Sequence, residues 1–249
     1  MDRIPENAIW VRFPRFIGDG IMIHRAVEPL RSMNTTLVAW GPAHVMELFQ
    51  GHPGFATTVA DPPGKQSAWE MARLLKAHRP RGVLSLLRSQ RAILAALLAR
   101  VPLRVGWRDG MGWLICTHSL AFKAIPGHQQ ERYARLLQRA FPELPVASFV
   151  PFQPRRSAQV EADALLAEVQ RPFVVFSLGA LSSSKQLGKQ VWGALGERIL
   201  AQGWSIVLLG ATTDDQACAQ EITARLSPVH DLVGKTSLAV AAGVIRNSL

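Results

Sequence analysis

The stretch that decides the fold is Ala8-Ile9-Trp10-Val11-Arg12-Phe13-Pro14-Arg15-Phe16-Ile17-Gly18-Asp19-Gly20. It opens as a short apolar run with β-branched residues, the pattern of a buried strand, and breaks at Pro14. Gly18 and Gly20 then let the backbone turn tightly. From 20 to 33 apolar residues recur at three- and four-residue spacing, which predicts a helix. The same rhythm continues outward. Strands are expected at 35–40, 56–60, 82–87 and 103–106, and helices at 43–50, 66–78 and 90–99. Alternation of this kind favours a parallel sheet with helices on both faces. One more helix is expected at 129–141, where Tyr133, Leu136, Leu137 and Ala140 share a face.

Pro142, Pro145, Pro151 and Pro154 follow, and this cluster reads as a linker. Two domains are therefore expected, 1–150 and 151–249. The second repeats the pattern: a helix at 158–169, a strand at 173–177, a helix at 189–202, a strand at 205–209 and a helix at 214–226. A short strand at 231–233 and a helix from Ser237 complete it. The strand endings Leu178-Gly179-Ala180 and Leu209-Gly210-Ala211 echo each other as repeated βα turns would. About three strands are fewer than the five or six of a full doubly wound domain, so the second domain is expected to be incomplete.

Composition narrows the function. Of 249 residues 48% are apolar and 18% charged, which excludes wholesale disorder. The longest uncharged apolar stretch, 92–99, is closed by Arg91 and Arg100 and is too short to span a bilayer. No apolar segment follows the first residues, so no secretory signal is read. Cys116 and Cys218 form neither a disulfide framework nor a zinc motif, which fits the cytoplasm. The net charge of +10 is uneven: 19 Lys and Arg face 10 Asp and Glu in 1–150, against 9 and 8 in 151–249. The first domain is thus suited to an anionic partner such as nucleic acid, a membrane surface or a phosphorylated substrate.

Ligands of doubly wound domains sit at the carboxyl ends of strands. Asp19 is placed at such an end, where a carboxylate can take a proton from a hydroxyl nucleophile; the alternative is a helix N-cap. Gly179, Ala180, Ser182, Ser183, Ser184 and Lys185 precede a helix and make a candidate phosphate cradle, the alternative being a solvated polar loop. Asp214 and Asp215 near the next βα turn are candidates for a ribose hydroxyl, or for a cap and first-turn acid. Arg12, Arg15, Arg25, Arg88, Arg91, Arg104 and Arg108 lie near strand ends or first helical turns and are candidate phosphate clamps. Trp10, Trp40, Trp69, Trp107 and Trp113 read as core or cleft-lining aromatics. There is no GxGxxG, no P-loop, no Asp-x-Asp and no paired-histidine spacing, so neither a dinucleotide cofactor nor a metal is expected.

Seven pieces in order resemble the family 9 glycosyltransferases of the lipopolysaccharide heptosyltransferase II type. They are Ile17-Gly18-Asp19, Leu87-Arg88-Ser89 before an Ala/Leu-rich helix, the run from Val101 to Arg108, and Glu131-Arg132-Tyr133. The second domain adds Leu178-Gly179-Ala180 with Lys185, Leu209-Gly210-Ala211, and the run from Leu232 to Leu238. The resemblance implies an α/β GT-B fold, two Rossmann-like doubly wound domains facing a cleft. It implies an inverting, metal-independent transfer of heptose from ADP-heptose to the phosphorylated inner core of lipopolysaccharide. Asp19 would be the general base. Gly179, Ala180, Ser183, Ser184, Lys185 and Asp214 or Asp215 would bind the donor, with Lys185 on its diphosphate. Arg15, Arg88, Arg91 and Arg108 are the expected acceptor contacts. ADP-heptose enters as donor substrate, not cofactor, and the expected place is the cytoplasm, peripheral to the inner membrane.

The chain departs from that pattern. Lys185-Gln186-Leu187-Gly188 stands where the family usually has Lys-Arg-Trp-Pro, and the loop before it is one residue shorter. The chain also stops before the family's Asn-Asp-Ser-Gly…His motif, so a fragment or a curtailed protein is expected. Two alternatives follow: a non-catalytic remnant that binds anionic glycolipid, and a family 9 transferase that uses another sugar. A nucleic-acid module is disfavoured because no recognition motif accompanies the charge.

Overall fold

The computed structural model describes residues 4–145, 151–179 and 187–248. Ala180, Ser182, Ser183, Ser184 and Lys185 lie outside them. The chain divides into two units, Met1–Phe152 and Gln153–Leu249.

In the first unit the order is β1 (Ile9–Arg12), α1 (Ile17–Val27), β2 (Leu37–Gly41), α2 (Ala43–Phe49), β3 (Thr57–Ala60), α3 (Ala68–His78) and β4 (Gly82–Ser85). Then come α4 (Arg91–Leu98), β5 (Leu103–Trp107), α5 (Gly112–Ile115), β6 (His118–Leu120) and α6 (Gln129–Ala140). The strands form one sheet in the order β3-β2-β1-β4-β5-β6, parallel throughout. That order is doubly wound, with the direction of winding reversing between β1 and β4. The central strands β2 and β4 are buried at every position, as a sheet covered on both faces requires. The edge strands β3 and β6 are only partly buried and carry Thr57, Thr58, His118 and Ser119. Trp10, Trp40, Val38 and Val83 pack under α3 and α4 on one face. On the other, Gly20 of α1 lies close against Phe13, Val45 and Phe49, and α1 packs on α6.

The helix expected at 20–33 is two elements. α1 starts three residues earlier, and a 3-10 helix takes over at Glu28–Met33, where Pro29 lacks the N–H that an α-helix would use. α5 and β6 were not foreseen, being four and three residues long without marked periodicity. Of the five tryptophans read as core or cleft-lining, Trp10, Trp40 and Trp107 are buried, Trp69 is 66% exposed and lines a surface cavity, and Trp113 is 67% exposed.

The second unit runs α7 (Arg156–Leu165), β7 (Phe173–Ser177), α8 (Lys189–Ala201), β8 (Ser205–Leu209), α9 (Thr213–Arg225), β9 (Val229–Asp231) and α10 (Leu238–Arg246). Its parallel strands are ordered β7-β8-β9. α7 and α10 cover one face, with Ala158, Ala162, Val240 and Val244 in that core. Trp192, Cys218, Ala219 and Ile222 form the other. β9 sits two residues before the expected 231–233; past it the Asp231 Oδ1 accepts the Val233 N–H (2.9 Å), while Leu232 and Gly234 still donate to the Leu208 and Gly210 carbonyls (3.1 and 2.9 Å).

Candidate active site

In the first unit the loops after β1 and β4 flank the winding reversal at the carboxyl edge, where open α/β sheets bind ligands. The loop after β1 is held by His44, whose Nε2–H donates to the Arg15 carbonyl (2.7 Å). It leads into Asp19 in the first turn of α1. The capping alternative for Asp19 is overturned: the N-cap is Phe16, which has no side-chain cap hydrogen bond. The Asp19 carboxylate makes no hydrogen bond or ion pair among the described residues. The helix dipole nevertheless favours its charge there.

Opposite it on α6 is Tyr133. Burial raises its phenol pKa, and the Asp19 charge adds to that, although a hydrogen bond from Gln129 opposes it. From Tyr133 a line of rings runs along the carboxyl edge. Trp107 lies at the end of β5, its ring 6.4 Å from Tyr133, and its indole N–H donates to the Leu86 carbonyl after β4 (2.8 Å). Phe122 meets Trp107 edge-on at 4.9 Å, and its N–H is held by Asp109 Oδ2 (3.0 Å). The guanidinium of Arg88 lies 5.2 Å from the Phe122 ring and that of Arg132 lies 4.6 Å from it. Two cations thus share one aromatic ring, close enough for cation–π attraction to orient both.

Not all the expected arginines are available to a ligand. Arg12 is a bidentate partner of Asp61 (2.6 and 2.7 Å) and lies over Trp40, which removes it from the clamp group. Arg104 donates to the carbonyls of Ile115 and Val101, and Arg91 to that of Gln66. All three brace the fold. Arg15 is exposed after β1 with its guanidinium over Phe16, and Arg108 is exposed after β5. Arg25 is half-buried on α1. Phe122 and the role of Arg132 were missed. Glu131-Arg132-Tyr133 carried a signal as a motif, but nothing local told that Phe122 would bring Arg132 beside Arg88.

In the second unit the carboxyl ends of β7 and β8 converge on Asp215. A β-carbon on Gly179 would come within 2.8 Å of its carboxylate and one on Gly210 within 2.6 Å of its side chain, which explains the repeated Gly-Ala turns. Asp215 closes a capping box with Thr212, accepting the N–H groups of Ala211 (2.8 Å) and Thr212 (2.9 Å). Burial pushes its carboxyl pKa up, but these bonds outweigh it and hold the pKa below the usual carboxylate range. Asp215 is therefore engaged in the cap, whereas Asp214 beside it is exposed. No group of three or more metal-ligating side chains occurs among the described residues. No helix among them is long and apolar enough to cross a membrane.

The family model of glycosyltransferase family 9 (heptosyltransferase) matches residues 71–248. The chain belongs to this glycosyltransferase family. The match takes in Arg88, Arg132 and the β7–β8 turns and begins after Asp19. Among solved structures, E. coli ADP-heptose lps heptosyltransferase II aligns with a TM-score of 0.76 at 22% identity, over 97% of this chain and 77% of that one. A family 9 transferase from Veillonella parvula aligns with 0.81 at 15% identity, over 97% and 73%. The E. coli heptosyltransferase WaaC, solved with ADP-2-deoxy-2-fluoro heptose, aligns with 0.73 at 14% identity, over 97% and 80%. These likenesses show that the family 9 fold here is GT-B. Comparison with curated protein sequences returns no match.

Proposed function

We propose that this family 9 glycosyltransferase transfers heptose from ADP-heptose to the phosphorylated inner core of lipopolysaccharide, with inversion and without a metal. The observation that carries the reading is Asp19, a carboxylate with no hydrogen bond or ion pair among the described residues, at the carboxyl edge where the winding of the first sheet reverses. In the proposed step Asp19 takes the proton of an acceptor hydroxyl. The oxygen attacks the anomeric carbon from the face opposite the diphosphate, the bond from that carbon to the diphosphate oxygen breaks, and ADP leaves with the electron pair. Lys185 is assigned to the charge that develops on ADP. Gly179, Ala180, Ser183 and Ser184 are assigned to the donor diphosphate and Asp214 to its ribose. Arg15, Arg88 and Arg108 are assigned to acceptor phosphates, which guanidinium groups grip through paired hydrogen bonds; Arg132, whose Nε–H donates to the Ile125 carbonyl (2.8 Å), is assigned to holding Phe122 and so Arg88 in place. The excess of positive charge in residues 1–150 supports an anionic acceptor and a site of action at the cytoplasmic face of the inner membrane.

The test is Asp19→Asn, which keeps size and removes the base. Transfer is expected to fall by about 10²–10⁴-fold, the usual worth of a general base, while ADP binding stays near that of the wild type. Turnover within a few-fold of wild type would remove Asp19 from the chemistry.

A further inference from the structure

At the opposite, amino-terminal edge of the first sheet lies a cavity of about 960 Å³. It is assembled from three separate segments: Asn7 before β1, Arg79 and Arg81 between α3 and β4, and Arg100 between α4 and β5, with Lys76 and Trp69 contributed by α3. Four cations line it and, among the described residues, no acid does. None of the four makes an ion pair or a side-chain hydrogen bond among the described residues.

Helix capping accounts for only part of this charge. Lys76 and Arg79 stand at the C-terminus of α3 and Arg100 just past that of α4, where cations complement the dipole, but α3 also carries His78 there and Arg81 belongs to no helix. The backbone is informative too. Four non-glycine residues among those described have a left-handed φ, and three of them line this cavity: Asn7 (58°), Arg79 (44°) and Arg100 (58°). At Arg79 and Arg100 the cap is made by main-chain N–H groups, to Leu75 O and Leu97 O (both 2.9 Å). Glycine would make the same bonds without the steric cost of a β-carbon. A guanidinium is thus held twice where the backbone favours glycine, and strain of that kind points to a function. Trp69 adds a solvent-exposed indole to the wall, an apolar surface for the carbon part of a ligand.

We propose that this cavity is a phosphate-binding site, separate from the transfer site, for a phosphate-bearing ligand with a ring or acyl portion that packs on Trp69. The phosphate is carried either by a free metabolite or by a lipid headgroup.

The test titrates the full chain with inorganic pyrophosphate, comparing wild type with Arg79→Gly/Arg100→Gly. Glycine suits both left-handed positions, so the thermal midpoint should not fall. Arg81→Gln is the second variant should it fall. Affinity at this site is expected to drop by about tenfold for each guanidinium removed, the worth of a charge-assisted hydrogen bond. Pyrophosphate affinity and stoichiometry that both variants leave unchanged would overturn the site, as would an absence of binding to the wild type. Co-sedimentation with vesicles of phosphatidylglycerol in phosphatidylcholine separates the sources. Vesicle binding that the double variant loses assigns the phosphate to lipid. Loss of pyrophosphate affinity without any vesicle binding assigns it to a free metabolite. The Asp19→Asn experiment reads the other edge of the sheet, so either proposal can fail alone.

Discussion

Asp19 and Asp215 occupy the same position, third in a helix that follows a parallel strand, and the residue three before each sets its fate. Thr212 offers a hydroxyl, and Asp215 closes a reciprocal box with it. Phe16 offers none, and the Asp19 carboxylate has no hydrogen bond or ion pair among the described residues. This contrast was legible in the sequence as Thr-x-x-Asp against Phe-x-x-Asp, and it favours the capping alternative at Asp215 rather than at Asp19. It also makes a prediction. Phe16→Ser should recruit Asp19 into a capping box and stabilise the protein to urea by about 0.5–1 kcal/mol, the gain of a good N-cap. Transfer should fall several-fold, because the base is then held by main-chain N–H groups. Stability gained with transfer unchanged would argue that Asp19 is not the base.

At the level of elements, α7 and α10 cross so closely that a β-carbon on Gly243 would lie 2.8 Å from that of Ala162. Helix propensity alone recommends Gly243→Ala by about 1 kcal/mol. Overpacking against a side chain that cannot rotate away costs about 1–3 kcal/mol. The second effect wins, and Gly243→Ala should lower stability by about 1 kcal/mol in urea unfolding. A gain would mean that the two helices part without loss. The positions of α7 and α10 were readable from periodicity, but the contact at Gly243 was not. Crossing distance depends on which residues of two remote helices meet, and nothing in either helix by itself states that.

For the molecule as a whole, the least expected feature of the core is a pair of histidines. His24 and His52 are 2% and 4% exposed and stack edge-on at 4.4 Å, among Phe49, Phe55 and Phe152. Neither ring nitrogen of His24 has a hydrogen-bond partner among the described residues. Burial, then the charges of His52, Arg31 and Arg25, lower the His24 pKa to about 3; burial and Arg31 lower that of His52 to about 4. The unfolded chain, with histidines near 6.5, then binds more protons below that pH than the folded chain does. Stability should be full above about pH 6.5 and should fall as the pH drops towards 4, by up to about 1.4 kcal/mol per pH unit for each histidine. Urea midpoints measured across this range check it, and His24→Phe should flatten the slope. A flat profile in the wild type would mean that the pair is protonated in the fold.

The sequence by itself determined the alternation of strands and helices, the turn that delivers Asp19 and the paired Gly-Ala turns. All of these rest on periodicity and turn chemistry within a few residues. It also held the charge asymmetry between the two halves. Only the tertiary structure decided what each charge does. Arg12 is neutralised by Asp61 from 49 residues away, Arg91 is bonded to Gln66, and Arg88 is joined by Arg132 across Phe122. Arg79, Arg81 and Arg100 come from two different turns and line one cavity with Asn7. The physical reason is that strand order sets these partners, and strand order follows from how the helices bury both faces of the sheet together.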